Sequence, residues 1–294
     1  MLITGATGFL GSNVVRTLLA AGHDVVALVR STSSLERLAG LGESGHLELV
    51  EVDRVAVDTV FEGLPIDAVV HTATHYGRGS RADSTSPRLI EANITFPMAV
   101  LTSAIAHGVP LFINTDSYFN KPGRTYNSLQ GYSLTKKYFL DWLQHHDDVI
   151  RVVNLRLEHI YGPADSADKF IPTLIEQVGR RQVPSFPMTA GDQVRDFVYV
   201  TDVASAYLRV LEGASREPGY DYFEIGTGET ASVRDVALLI KSLSGSATQI
   251  EFGGLEYRAD EIPLSVADSS FADAFGPGSH VSIEQGISAL LGRQ

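Results

Sequence analysis

The chain of 294 residues contains no cysteine, a single tryptophan and three methionines. Without cysteine, disulfides, thiolate nucleophiles and Cys-ligated zinc are excluded. Basic side chains are scarce: 23 Lys and Arg face 35 Asp and Glu, leaving a formal charge of −12 and a pI near 5.1. That balance excludes a general phosphate-backbone binder, so no nucleic-acid partner is expected. Uninterrupted apolar runs reach only about five residues, against the ~20 that cross a bilayer, so no membrane partner is expected either. No basic segment followed by an apolar one precedes the first motif, and no internal repeat or low-complexity tract occurs. His145-His146 has no ligand spacing that suggests a metal site. What remains is globular in composition, 44% hydrophobic and 20% charged, the expectation being a cytoplasmic protein of one large α/β unit or two joined domains.

The N-terminal half alternates β-branched runs with amphipathic stretches. Leu2-Ile3 enters a Gly-rich turn, and Ser12 to Ala21 is apolar at helical spacing. Val25 to Val29 is a continuous apolar run of the kind buried on both faces of a sheet. Further strands are predicted at Leu47 to Val52, Ala68 to His71, Leu111 to Asn114 and Val149 to Leu155, with helices at Pro97 to His107 and Tyr132 to His145. This order predicts an α/β fold, a Rossmann-type doubly wound parallel sheet. After Gly162-Pro163, prolines punctuate shorter segments, predicting a smaller, mixed α/β C-terminal substrate lobe. Residues 1–162, rejoined by 192–213, form the expected dinucleotide-binding domain; 163–191 and 214–294 form the lobe.

Gly5, Gly8 and Gly11 give GxxGxxG between the first strand and a helix, a variant of the dinucleotide fingerprint. Its glycines permit a tight turn, close backbone approach to pyrophosphate and close helix–strand packing, with phosphate on the helix N-terminus. NAD-binding chains usually carry an acid at the end of the second strand. Here Val29 is followed by Arg30, Ser31 and Thr32. A guanidinium there suits the 2′-phosphate of NADP, which is favoured over NAD. Tyr132 and Lys136 have YxxxK spacing, which on a helix puts both on one face. A neighbouring ammonium would lower the phenol's pKa and make it a usable proton donor or acceptor. The strand before them ends in Thr115-Asp116-Ser117, which offers a hydroxyl to the reacting oxygen.

Together TGATGFLG, His71-Thr72-Ala73, Asn93, the Thr115/Tyr132/Lys136 set and Arg195 to Val200 resemble the extended short-chain dehydrogenase/reductases, a likeness running almost to Gly286. The resemblance implies an enzyme with nucleotide-sugar substrates and a homodimer built on a four-helix bundle, with helices near Pro97 to His107 and Tyr132 to His145 as the interface. It implies Tyr132 as acid/base, Lys136 as the residue that tunes it and holds the nicotinamide ribose, and Thr115 as hydroxyl partner. A shift of register would choose Ser117 instead. Around the cofactor it places Gly5, Thr7, Gly8, Phe9, Leu10 and Gly11 of the turn, and Arg30 and Ser31 after it. Asp53 is placed on the adenine amino group, and Thr72, Ala73, Thr74, Asn93 and Leu157 complete that set. Substrate contacts fall to His75 and Tyr76 after the fourth strand, Ser117, and His159, where most members carry Asn. Lys169, Arg195 and Arg258 would supply cations for the nucleotide diphosphate.

Dehydratases of this family follow the Thr-Asp pair with Glu, whereas this chain has Ser117, a poor base, so water elimination is disfavoured. The segments Asn114 to Ser117, Tyr132 to Lys137 and Leu155 to Pro163 are similar to the CDP-abequose and CDP-paratose synthase group. The implied reaction is NADPH-dependent reduction of the 4-keto group of a nucleotide-activated 4-keto-6-deoxy or 3,6-dideoxy hexose. Two alternatives stay open: a nucleotide-sugar 4-epimerase with retained NAD, and a non-catalytic NADP-sensing Rossmann protein. Intact Tyr132 and Lys136 weigh against the second.

Overall fold

The computed structural model describes residues 1–77, 86–121, 129–258, 260–278 and 280–292. The chain divides into two compact units. The first comprises Met1–Arg156 and Ala204–Phe223; the second comprises Leu157–Val203 and Glu224–Gln294.

In the first unit, β1 (Leu2–Thr4) leads into α1 (Phe9–Ala20), then β2 (Val25–Val29), β3 (Leu47–Glu51), α2 (Val57–Gly63) and β4 (Val69–His71). A long helix follows in three parts: α3 (Pro87–Ile90), a π turn (Glu91–Thr95) and α4 (Phe96–Ala106). Then come β5 (Leu111–Ser117), α5 (Gln130–Gln144) and β6 (Arg151–Leu157); the chain returns much later, from Ala204 to Phe223, with most of α7 (Val200–Gly213) and of β11 (Gly219–Ile225). The sheet runs β11-β6-β5-β4-β1-β2-β3. The β1–β2, β1–β4, β2–β3 and β4–β5 pairs are parallel, with Ile3 opposite Ala27 on one side and Val70 on the other. This is the doubly wound order of the Rossmann fold, and it leaves a crevice outside the C-terminal ends of β1 and β4. Every residue of β2 is buried, as a strand covered on both faces requires. Leu2, Val26, Val69, Phe112 and Val152 put one apolar side chain per strand into a core closed by Val100, Leu101, Phe139 and Leu143.

The helix expected from Pro97 begins at Pro87, where the Ser86 side chain accepts from Arg88 N–H. Pro97 lacks the N–H that would continue an α-helical ladder, and the wider π turn lies immediately before it. Over Pro87–Ala106 the mean hydropathy reaches 1.5, enough by length and composition for a membrane span. Val100, Leu101 and Ala104 nevertheless lie in the unit's core. Strand β5 continues through Ser117 instead of ending at Asn114, because Asn114 and Asp116 find polar partners on β6.

In the second unit β7 (His159–Tyr161) pairs in parallel with β10 (Phe197–Tyr199). For that reason the unit boundary falls after Arg156 instead of at 162, and residues 192–203 belong here. Further pairs join β8 (Ser185–Met188) to β13 (Gln249–Phe252), and β9 (Val194–Arg195) to β12 (Ala231–Ser232) and β14 (Leu264–Ser265). Helices α6 (Phe170–Leu174), α8 (Val233–Ser244) and, after the short α9 (Ser270–Phe275), α10 (Ile283–Leu290) pack over Tyr161, Val178, Tyr199, Val236, Ile240 and Ile287. Capping boxes start α8 (Ser232 with Asp235) and α10 (Ser282 with Gln285). Asp196, fully buried, accepts from Thr227 N and Oγ1, Gly228 N and Ala267 N. A side chain on Gly226 would meet that carboxylate at 2.2 Å.

Candidate active site and family

The Gly-rich turn leaves β1 at Thr4 and enters α1 with no side-chain cap on its first turn. Gly5 takes φ +70°, and a Cβ there would stand 2.6 Å from Ala73 N. A Cβ on Gly11 would stand 2.2 Å from Gly5 O and 2.7 Å from Thr72 Oγ1. Glycine is therefore required at both positions by close backbone approach. Thr72 Oγ1 donates to Thr4 O at 2.8 Å and Ala73 N–H to Thr4 Oγ1 at 3.2 Å, tying the end of β4 to the turn. This cradle, with helix dipole and backbone at its floor, fits a dinucleotide pyrophosphate. At its rim Arg30 is exposed. Both oxygens of Asp53 take hydrogen bonds from Ser31, one from N–H at 2.9 Å and one from Oγ. The Ser31 hydroxyl is the chief cause that holds the Asp53 carboxyl below its usual range. Arg37, which the sequence reading passed over, donates from Nη1 to Thr7 O at 3.3 Å. It lies in a 3-10 turn folded back on the glycines, and no local pattern marks such a return.

On α5, Tyr132 and Lys136 are both buried, at 4% and 3% exposure. Lys136 Nζ donates to the main-chain oxygen of Thr115 at 2.8 Å. Burial lowers this amine to about 8, against the opposing pull of Asp116. The expected lowering of the Tyr132 phenol is corrected, because burial outweighs any neighbouring charge. Burial first, then Tyr76 and Asp116, push it well above the usual tyrosine range. Thr115 Oγ1 is 2.6 Å from the hydroxyl of buried Tyr207. Ser117 lies two residues along the same strand face, its Oγ accepting from Phe119 N–H at 3.4 Å.

Below this site lies a buried polar layer. Asp116 accepts from Asn120 Nδ2 at 2.7 Å, Asn154 Nδ2 at 3.2 Å and Arg156 Nε at 3.4 Å, and Asn114 Nδ2 donates to Asn154 Oδ1 at 2.7 Å. The Asp116 and Arg156 side chains are 1% and 6% exposed. A signal for this layer existed: Asn114 and Asp116 on β5, and Asn154 and Arg156 on β6, recur at spacing two within apolar strands. His71 packs against Phe112 and Phe139 and bonds Thr4 Oγ1 through Nδ1 at 2.8 Å. Burial, then Lys136, hold it well below the usual histidine range, hence neutral at pH 7. Asn93, expected beside the cofactor, uses its whole amide inside the protein, on Thr74, His75 and Thr135.

Among the expected substrate contacts of the second unit, Arg195 is 6% exposed and gives Nη2 to Glu261 Oε1 at 2.6 Å and Nη1 to Val194 O at 2.9 Å. Lys169 Nζ pairs with Asp165 at 2.8 Å. Arg258 is exposed. His159 sits 3.5 Å from buried Glu158 and edge-on to Phe197, and desolvation outweighs Glu158 to lower its pKa. Leu157 is buried at the end of β6.

Residues 1–226 match the NAD dependent epimerase/dehydratase family. The CDP-abequose synthase of Salmonella typhimurium is 34% identical over 304 aligned positions, covering 100% of this chain and 97% of that protein. The UDP-glucuronate 4-epimerase of Thermodesulfobacterium geofontis is 27% identical, covering 97% of this chain and 93% of its own. Among solved structures, the UDP-glucuronic acid 4-epimerase of Bacillus cereus, in complex with UDP-glucuronic acid and NAD, superposes with a TM-score of 0.83 at 23% identity, covering 99% of this chain and 97% of that one. The Thermus thermophilus UDP-glucose 4-epimerase complex with NAD gives 0.79 at 23%, with the same coverage. The glycine cradle, the Tyr132–Lys136 pair and these full-length likenesses establish that the chain belongs to the NAD dependent epimerase/dehydratase family, the extended short-chain dehydrogenase/reductases.

Proposed function

We propose that this protein reduces the 4-keto group of a nucleotide-activated 4-keto-6-deoxy or 3,6-dideoxy hexose, with NADPH preferred over NADH. The observation that carries the reading is Tyr132, buried on α5 one helical turn from buried Lys136, with burial favouring the protonated phenol. A reductase needs an acid that arrives with its proton, and the surroundings of this phenol favour that form. The 34% identity to CDP-abequose synthase over the whole chain supports the same reading.

NADPH, when bound, supplies the hydride. Gly5, Gly8 and Gly11 hold its pyrophosphate against the first turn of α1. Arg30, with Arg37 on the adjacent Thr7 carbonyl, supplies two guanidinium groups at the rim for a 2′-phosphate. Tyr132 gives its proton to the C4 oxygen as negative charge develops there, and Ser117 donates a hydrogen bond to the phenol oxygen left behind. Lys136, fixed by the Thr115 carbonyl, holds its ammonium on the same helix face. Thr115, bonded to Tyr207, sets the strand backbone that anchors Lys136. Exposed Ile90 on α3 and Leu134 and Tyr138 on α5 support a homodimer through these helices. This reading makes the protein a cytoplasmic enzyme.

The test is NADPH oxidation, followed by absorbance, with CDP- and dTDP-4-keto-6-deoxyglucose and CDP-4-keto-3,6-dideoxyglucose. Turnover is expected with NADPH over NADH, a loss of about 10²–10⁴-fold in Tyr132→Phe, and a lost preference for NADPH in Arg30→Ala. No oxidation with any 4-keto sugar, together with NAD carried through purification, would overturn the reading in favour of the 4-epimerase.

A further inference from the structure

Tyr207 puts a phenol into an otherwise apolar stripe of α7: Ala204, Val210 and Leu211 share its buried face. The ring is fully buried, and its hydroxyl lies 2.6 Å from Thr115 Oγ1, across 92 residues of sequence. Among the described residues Thr115 is the only hydrogen-bond partner of this phenol.

Thr115 sits at a junction. Leu111, Ile113 and Thr115 alternate along one face of β5, and Thr115 alone of the seven strand residues is not buried. Its main-chain oxygen accepts from Lys136 Nζ at 2.8 Å, and its side chain meets Tyr207. It lies near the C-terminal end of the strand, the end at which a doubly wound sheet receives its ligands.

Which of the two oxygens donates follows from which has an alternative. A phenol has one hydrogen. Buried and with a single partner, Tyr207 either gives that hydrogen to Thr115 Oγ1 or leaves a donor unsatisfied at the full cost of its desolvation. Thr115 is under no such constraint, because part of its surface is open. The phenol is therefore the donor and Thr115 Oγ1 the acceptor. A hydroxyl that accepts one bond still has its own hydrogen to give. Donation into Thr115 Oγ1 also polarises the threonine O–H and makes it a stronger donor in turn.

We propose that Tyr207 is a positioning residue for Thr115: its O–H is held on Thr115 Oγ1, which leaves the Thr115 hydrogen to bond the substrate's C4 oxygen as charge develops there. The proposal rests on the ketoreductase reading. No covalent bond at Tyr207 or Thr115 breaks in the step. Hydride comes from NADPH, the proton comes from Tyr132, and Thr115 contributes a hydrogen bond that strengthens with the charge. Tyr207, fully buried, acts only through Thr115.

The test is a double-mutant cycle in the full chain, with Tyr207→Phe, Thr115→Val and the pair, read by kinetics and by urea unfolding. Tyr207→Phe keeps the ring and removes the hydroxyl, so kcat for ketone reduction is expected to fall about three- to tenfold with KM unchanged. Thr115→Val is expected to lose about 10²-fold in kcat, and adding Tyr207→Phe to it should lose nothing further. An equal Tyr207→Phe effect in both backgrounds, or one confined to KM, overturns the proposal, because a merely structural tyrosine acts whatever stands at 115. Thr115→Ser keeps the hydroxyl and should retain both activity and sensitivity to Tyr207→Phe. In unfolding, Thr115→Val strands a buried O–H and lowers the midpoint, and the pair is expected to regain it. A pair no more stable than Thr115→Val shows that the phenol is not the donor and overturns the proposal as well. A wild-type protein that turns over no 4-keto sugar overturns the proposed reaction alone, and the unfolding cycle then decides Tyr207 by itself.

Discussion

Lys136 shows how a residue can serve a site at a cost to the fold. Its amine titrates near 8 in the folded chain because burial disfavours the charge, against an unfolded value of about 10.4. Below 8 both states carry the proton and the full penalty is present. Between 8 and about 10.4 the unfolded chain holds a proton that the folded chain does not, so stability rises with pH, by up to about 1.4 kcal/mol per unit. Lys136→Met removes this dependence. In urea unfolding of the cofactor-free protein, the wild type is expected to gain on the variant between pH 8 and 10. A constant difference across that window would show that the amine is not desolvated. Asp116 is tolerated in the interior because Asn120, Asn154 and Arg156 all donate to its carboxylate.

At the level of the element, the βα turn is the part that local sequence dictates most strictly. A Cβ on Gly11 would lie 2.2 Å from the Gly5 carbonyl oxygen, a backbone atom that cannot step aside. Gly11→Ala is expected to lose about 1–3 kcal/mol of stability and to abolish NADPH binding by calorimetry. Gly63, at the end of α2 with nothing within 4 Å of its virtual Cβ, is the control. Gly63→Ala should change neither stability nor binding, and equal effects in the two variants would remove the steric explanation. The long helix shows the limit of periodicity. Pro97 reads as a helix start, yet three joined segments from Pro87 onward form one rod. The π turn between them places Asn93 where no α-helical count would put it.

At the scale of the whole molecule, the surplus of 12 negative charges disfavours polyanions, whereas Arg37 donates to the carbonyl of Thr7 in the Gly-rich turn. Leu134 and Tyr138 are four apart on α5, 59% and 52% exposed, and Ile90 on α3 is 51% exposed. In the proposed homodimer these exposed apolar side chains would lie in the interface. Leu134→Glu combined with Tyr138→Glu is expected to halve the mass found by light scattering, with the far-ultraviolet circular dichroism unchanged. Identical masses for variant and wild type would dispose of these helices as the interface.

Fold class, the order of the first strands, the glycine cradle and the Tyr132–Lys136 pair were legible in the sequence because each depends on short-range rules. A parallel strand buried on both faces must be apolar throughout, a backbone approach under 3 Å admits only glycine, and one helical turn sets the Tyr–Lys spacing. Long-range packing decided the rest. The hydroxyl of Thr115 meets Tyr207 from 92 residues away. Residues 192–203 join the second unit because β10 pairs with β7. The phenol's protonation follows from burial and from the neighbours Tyr76 and Asp116. A pKa depends on dielectric and on charges close in space, and neither quantity is written in residue order.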